Sequence, residues 1–345
     1  MRLGLMLGYS GAGLALDVEL VKEAERLGYD SVWTAEAWGS DAVTPLAWLA
    51  AQTSTIKLGT AIMQIPARTP AMAAMTAMTL DALSGGRFIM GLGTSGPQVV
   101  EGWHGQPFTK PLTWMREYVE IVRAILARDA PLSFDGEKYQ IPYRGADGLG
   151  QGKPLRSIMH GRTDIPIYTG SMAPLSQTAS AEIADGVLLT CMNPERPEII
   201  EDRLREGFAR AGKGKNFDTF DVAPTVAVAY SPDPADMDRL RAPLKAQLAL
   251  YIGGMGSREK NFYKDYICRA GFEAEAHKIQ DLFLAGQRKE AVAAVSDKLV
   301  DTLYLIGTRD HLRDRVDVWK QTNVGTLIVG GMGVDALRIL AELVL

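Results

Sequence analysis

Apolar residues along this chain fall into short runs, and each run is followed by a longer stretch in which apolar positions return every three to four residues. The first pattern is that of a strand buried on both faces and the second that of an amphipathic helix, so their alternation predicts βα units and a parallel sheet. The runs are Leu3 to Leu7, Ser31 to Thr34, Ile56 to Ile62, Phe88 to Gly91, Ile165 to Thr169, Gly186 to Thr190, Val222 to Ala229 and Thr326 to Val329. Predicted helices fill the gaps: Leu16 to Leu27, Pro45 to Thr53, Pro70 to Leu83, Leu112 to Ala127, Ala173 to Ala184, Arg196 to Ala211, Pro234 to Tyr251 and Leu312 to Gln321, with a last one from Asp335 to Leu343. Eight strands alternating with helices predict a (β/α)8 TIM barrel in preference to a two-domain dinucleotide-binding enzyme.

Two stretches break the alternation. Residues from about 130 to 164 are rich in Gly and Pro, and residues 253–307 are charged and helix-forming. Neither has the flanks of an interdomain linker, so both read as rim insertions into one domain spanning 1–345.

Composition narrows the function. With 37 Lys and Arg against 41 Asp and Glu, the net charge is -4, and no run of like charge could coat a phosphate backbone. Nucleic acid is excluded as an expected partner. The start lacks the apolar block of a signal peptide and no uncharged apolar stretch is long enough for a membrane span, so a cytoplasmic protein without a membrane partner is expected. Two cysteines, Cys191 and Cys268, make no disulfide framework, and the four histidines His104, His160, His277 and His311 lack ligand spacing, so no metal is expected.

Four segments carry candidate chemistry. Gly91-Leu92-Gly93-Thr94-Ser95-Gly96 fits GxGxxG, but Pro97, Gly102, Gly105, Pro107 and Pro111 are expected to delay the next helix to about Leu112. A dinucleotide fingerprint needs a helix opening inside the motif, so these glycines read as a flexible turn that brings backbone close to a ligand. The second strand runs into Glu36, Trp38 and Asp41, at the end of the strand where a barrel keeps its chemistry. Gly170-Ser171-Met172-Ala173-Pro174 opens a helix whose free amides suit an anion. Lys153, Arg156 and Arg162 lie in a segment, 151–162, without Asp or Glu, which is consistent with an anionic ligand. His104 and His160 fall in rim loops, and Trp38, Trp103 and Trp114 are candidates for an apolar substrate wall.

Taken together the sequence resembles the luciferase-like oxidoreductases, in particular their coenzyme F420-dependent branch near methylenetetrahydromethanopterin reductase. The resemblance rests on Asp30-Ser31-Val32-Trp33-Thr34-Ala35-Glu36-Ala37-Trp38, Gly59-Thr60-Ala61-Ile62, Leu80-Asp81-Ala82-Leu83-Ser84-Gly85-Gly86-Arg87 before Gly91-Leu92-Gly93, and Ala184-Asp185-Gly186-Val187. It implies a luciferase-like TIM barrel with F420 across the mouth, exchanging a hydride with a small organic substrate, in a homodimer. It further implies a non-prolyl cis peptide between Ala61 and Ile62 that props the deazaflavin ring. Gln64, Thr94 and Ser95 would line the cofactor, with Gly170, Met172, Ala173, Leu175 and Ser176 around its phosphate and side chain, and Glu36 would handle the proton. Relatives that oxidise sugar phosphates carry Asp-His in place of Glu36-Ala37 and Glu in place of Gly96, so that reaction is not expected here. The same resemblance admits an FMN-dependent monooxygenase, or a non-catalytic flavin-binding relative with which Ala37 and Gly96 are compatible.

Overall fold

Each apolar run becomes a strand because it is buried on both faces, by helices outside and by interior side chains within the ring. A computed structural model describes residues 1–212 and 214–345. Its barrel strands are β1 (Arg2–Gly8), β2 (Ser31–Thr34), β3 (Lys57–Thr60), β4 (Phe88–Gly93), β5 (Ile167–Gly170), β6 (Gly186–Thr190), β7 (Asp221–Tyr230) and β8 (Thr326–Gly330). Neighbours in sequence pair in parallel, and β8 closes the ring on β1 with Arg2 opposite Thr326 and Leu5 opposite Val329. The result is a closed eight-stranded parallel barrel wrapped by helices.

Inside the ring Trp33, Ile89, Tyr168, Leu188, Ala223 and Ile328 pack together. Glycines make the room: a Cβ on Gly4 would stand 2.8 Å from the Trp33 indole nitrogen, and one on Gly59 would stand 2.2 Å from its ring. A larger layer lies between strands and helices, with Leu3, Val32, Leu58, Ile167, Val187 and Leu327 fully buried.

Most predicted elements lie within two or three residues of the observed ones, and Pro70–Leu83 coincides with prediction. Two local expectations fail. The stretch Ile56 to Ile62 is not one strand: β3 ends at Thr60, and pairing with β4 resumes only at Met63 and Gln64. Between the pairs Gly59 with Ile89 and Met63 with Leu92, the first chain carries one more residue than the second, so β3 bulges toward the mouth. The Ala61–Ile62 bond within this bulge is cis. Second, a short helix, Pro97–Gly102, opens directly after Gly96. Proline at its first position has no amide to leave unsatisfied, so the residue read as a delay is a helix start.

Helices of residues 253–307 pack across the ends of β5 and β6, where the Asn193 amide donates to the Tyr266 hydroxyl at 3.1 Å. The hairpin 134–141 packs beside the start of the helix Pro111–Ala127, where the Tyr139 amide donates to Glu117, whereas residues 155–162 return to the opposite end. Arg162 pairs with Asp81 at 2.9 Å beside Phe88, the first residue of β4, and Arg156 donates to the Asp129 carbonyl. Arg156 and Arg162 therefore lie away from the mouth, where the turn expected to suit an anion is found. His160 stands there too, 3.2 Å from Arg128. Among the described residues no helix is long and apolar enough to cross a membrane.

Candidate functional site

The C-terminal mouth is where the strand ends bring candidate residues together. Its β2–β4 side holds a cleft of about 230 Å³, lined by Glu36 to Asp41, Gln64, Ala67, Arg68, Trp103 and His104. Trp38 and Trp103 stand exposed at its edge, with Tyr9 6.5 Å from Trp38 between ring centres. Trp114 does not join them. It is buried on the helix Pro111–Ala127, its indole nitrogen donating to Tyr139 at 2.6 Å, because its helical position faces inward.

Glu36 accepts hydrogen bonds at both carboxylate oxygens. The amides of Gln64 and Ala42 donate at 2.7 and 3.0 Å, and Arg68 grips it with both guanidinium nitrogens. Neither oxygen is left free to reach a substrate. Arg68, which sequence reasoning missed, comes from the turn after the β3 bulge and carries no motif to mark it. Glu36 thus ties the loops after β2 and β3 together. Nearby Asp41 is half-buried: burial pushes its carboxyl up, but donors from Thr44 and Val43 and the charge of Arg68 outweigh this and hold it below the usual range.

Gln64 is buried and makes three links. Its backbone amide holds Glu36, its side-chain amide donates to the Ala37 carbonyl at 2.8 Å, and its side-chain oxygen meets His104 Nε2 at 2.9 Å. The His104 loop is pinned again by Gln106, whose side chain donates to the Pro66 carbonyl at 2.9 Å.

The bulge explains the glycine motif. A Cβ on Gly91 would lie 1.7 Å from the Thr60 carbonyl oxygen, and one on Gly93 would lie 2.7 Å from the Ile62 side chain. Thr60 hydroxyl bonds to the Gly91 amide and carbonyl, at 2.9 and 2.8 Å, replace ladder bonds the bulge displaces. Ile62 is half-buried above the interior layer with Ala61, and reaches over Gly170 as well. The spacing GxG thus serves close packing between β3 and β4. Thr94 and Ser95 follow at the mouth, half-buried, with Ser95 in the left-handed region at φ 60°.

On the far side, β5 ends at Gly170 and the helix Pro174–Ile183 begins after Ala173 with no side-chain cap. The first-turn amides of Leu175 and Ser176 have no intrahelical acceptor. The Ser176 hydroxyl donates back to the Ala173 carbonyl at 2.8 Å. Beside this turn Arg269 donates to the Met172 carbonyl at 3.2 Å. Arg269 was missed because it lies 97 positions away in the chain, within the second insertion. The structure thus divides the predicted residues between two sides of one mouth: Glu36, Gln64, Ala61 and Ile62 on one, Gly170, Met172, Ala173, Leu175 and Ser176 on the other, with Thr94 and Ser95 between.

A parallel barrel with an open, polar C-terminal mouth is the class these features define. The model of the luciferase-like monooxygenase family matches residues 1–326, and the chain belongs to that family. It is 44% identical, over all of its length and 99% of the relative's, to a Mycobacterium tuberculosis protein provisionally named a coenzyme F420-dependent oxidoreductase. The 5,10-methylenetetrahydromethanopterin reductase of Archaeoglobus fulgidus is 30% identical over 90% of this chain and 87% of the relative. Among solved structures, the coenzyme F420-dependent tetrahydromethanopterin reductase of Methanopyrus kandleri superposes with a TM-score of 0.77 at 23% identity, covering 99% of this chain and 97% of that one.

Proposed function

We propose that the chain is an F420-dependent oxidoreductase acting on a small organic substrate at the barrel mouth. The observation that carries this reading is the turn Gly170 to Ser176, where two helix amides stay open and the Arg269 guanidinium bonds the Met172 carbonyl of the same turn. Oriented amides and a positive helix end favour an anionic group such as a phosphate diester. The residues fit the cofactor in a second respect: the half-buried Ala61 and Ile62 present an apolar surface at the centre of the mouth, against which a flat ring would rest. When bound, the deazaflavin supplies or accepts a hydride at its ring carbon. The chain's own part is to hold the phosphate at Leu175 and Ser176, support the ring at Ile62, and admit substrate over Trp38 and Trp103. Thr94 and Ser95 would contact the polar edge of the ring or its linker. Glu36 would act by fixing the bulge through Gln64 and Arg68, and not by carrying a proton.

The name of the Mycobacterium tuberculosis relative supports F420 over FMN, and the phosphate turn alone suits either. Titration of the apoprotein with F420 and with FMN, at matched ionic strength and read by fluorescence, is expected to show F420 binding at least about tenfold tighter. FMN binding as tightly as F420 would overturn the reading and favour the monooxygenase alternative.

A further inference from the structure

His104 occupies a place that the proposed function leaves without a chemical role. It enters the cleft from the loop after β4, with Trp103 and Trp38 beside it and Gln64 behind it. Its ring orientation follows from hydrogen-bond chemistry. The Gln64 side-chain nitrogen faces the Ala37 carbonyl at 2.8 Å, and a carbonyl can only accept, so that end of the amide is the NH2. Its other end is therefore the oxygen, which accepts from His104 Nε2 at 2.9 Å. In the neutral ring Nε2 carries the hydrogen and Nδ1 is the basic nitrogen. Among the described residues Nδ1 has no partner in the protein, and the ring is half-buried in the wall of the cleft.

We propose that His104 is the general acid and base of this enzyme, moving a proton at Nδ1, and that Gln64 is the positioning residue that sets its tautomer. This rests on the F420 reading, which supplies the hydride. In the reducing direction one end of a substrate double bond takes up the hydride, and the His104 imidazolium gives its Nδ1 proton to the heteroatom at the other end. The ring then regains a proton from water, so each turnover consumes one hydride and one proton; the oxidising direction is the reverse. Charged groups facing His104 across the cleft are Glu36 and Asp41 from the loop after β2 and Arg68 from the turn after β3, with Glu101 on its own segment. Glu36, with four donors on its two oxygens, leaves that proton to the histidine.

Nitrogen-15 histidine spectra of the apoprotein test the geometry: neutral His104 is expected with hydrogen on Nε2, and Gln64→Leu is expected to return it to a mixture of tautomers. Hydrogen on Nδ1, or a tautomer unmoved in Gln64→Leu, overturns the assignment. Diethyl pyrocarbonate followed by peptide mapping should modify His104 in the apoprotein and do so at least about tenfold more slowly with F420 present. Equal rates place the ring outside the site and overturn the proposal. Reduced F420 with menadione as the hydride acceptor tests the chemistry. His104→Gln should lose about 100-fold in rate while its Kd for F420 stays within about threefold, and His104→Ala should recover at least about tenfold with added imidazole. No difference between wild type and His104→Gln, including no turnover by either, overturns it. Failure of wild type to bind F420 at all is the separate failure of the cofactor reading, and the tautomer spectra distinguish the two.

Discussion

At the N-terminal end of the barrel, charged side chains are bonded to the frame. Arg87 donates to the carbonyls of Ala50, Thr53, Ile56 and Ser84, Arg162 holds Asp81, and Arg2 pairs at 2.8 Å with Asp221. At the C-terminal end the construction depends on what is left out. Gly91, Gly93 and Gly170 omit side chains where the β3 bulge and Ile62 need space, the helix Pro174–Ile183 lacks a cap, and His104 keeps one nitrogen open. The difference teaches that net local charge is a poor guide to a binding site. Three cations without carboxylates in 151–162 suggested an anion, yet two of them brace the closed end, while the anion-suited turn has a single guanidinium brought from elsewhere.

Substitutions at the two ends should therefore fail in different ways. The largest effect is expected at Gly91. Gly91→Ala drives a Cβ against backbone 1.7 Å away and should cost more than about 4 kcal/mol in urea unfolding, or leave no soluble protein. Gly96→Ala, in the same motif, meets only the flexible Gln98 side chain at 3.3 Å and should change stability by less than about 0.5 kcal/mol. Similar losses at both positions would show that the motif is not a packing device.

Next in size is Arg162→Ala. It leaves the buried Asp81 carboxylate without its cation and should cost about 3 kcal/mol, with cofactor affinity unchanged because the pair lies at the far end. A drop in affinity larger than about threefold in the folded variant would break the separation between the ends.

Base should act on both ends together, with a smaller effect. Burial pushes the Cys191 thiol at the mouth and the Tyr139 phenol each up to about 12, and burial also raises Tyr168 inside the barrel. A raised value means that the folded state keeps its proton when the unfolded chain has lost it. This contribution is intact below about pH 9, where unfolded thiols and phenols begin to ionise, and declines as pH rises toward 12. Urea midpoints measured from pH 8 to 11 should fall only in the upper part of that range.

The smallest effect is expected for Lys153→Ala and Arg156→Ala, which should leave F420 binding within about twofold. A clear weakening, growing at low salt, would restore the basic segment to the site.

Strand order was legible because burial on both faces writes itself as unbroken apolar runs, and helix limits were legible from Pro70, Pro174 and the glycines after Leu27 and Ala211. The Pro97 helix was not, since six residues are too few to show a period. Glu36 and Gln64 could be placed at the mouth by resemblance, but their connection to Arg68 and His104 could not, because hydrogen-bond partners on separate loops share no spacing. The same holds for Arg269, whose approach to Met172 depends on how a whole insertion packs.

The contact of Ile62 with both Gly93 and Gly170 has an evolutionary consequence. Three neighbouring strands share one small volume above the interior layer, so residue size at these positions is not inherited independently. A lineage that shortened Ile62 to alanine would open position 170 to alanine and ease position 93 from 2.7 to 3.2 Å, whereas one that enlarged either glycine first would meet the isoleucine at 2.7 or 3.0 Å. Substitution there has a permitted order, with residue 62 changing before its neighbours.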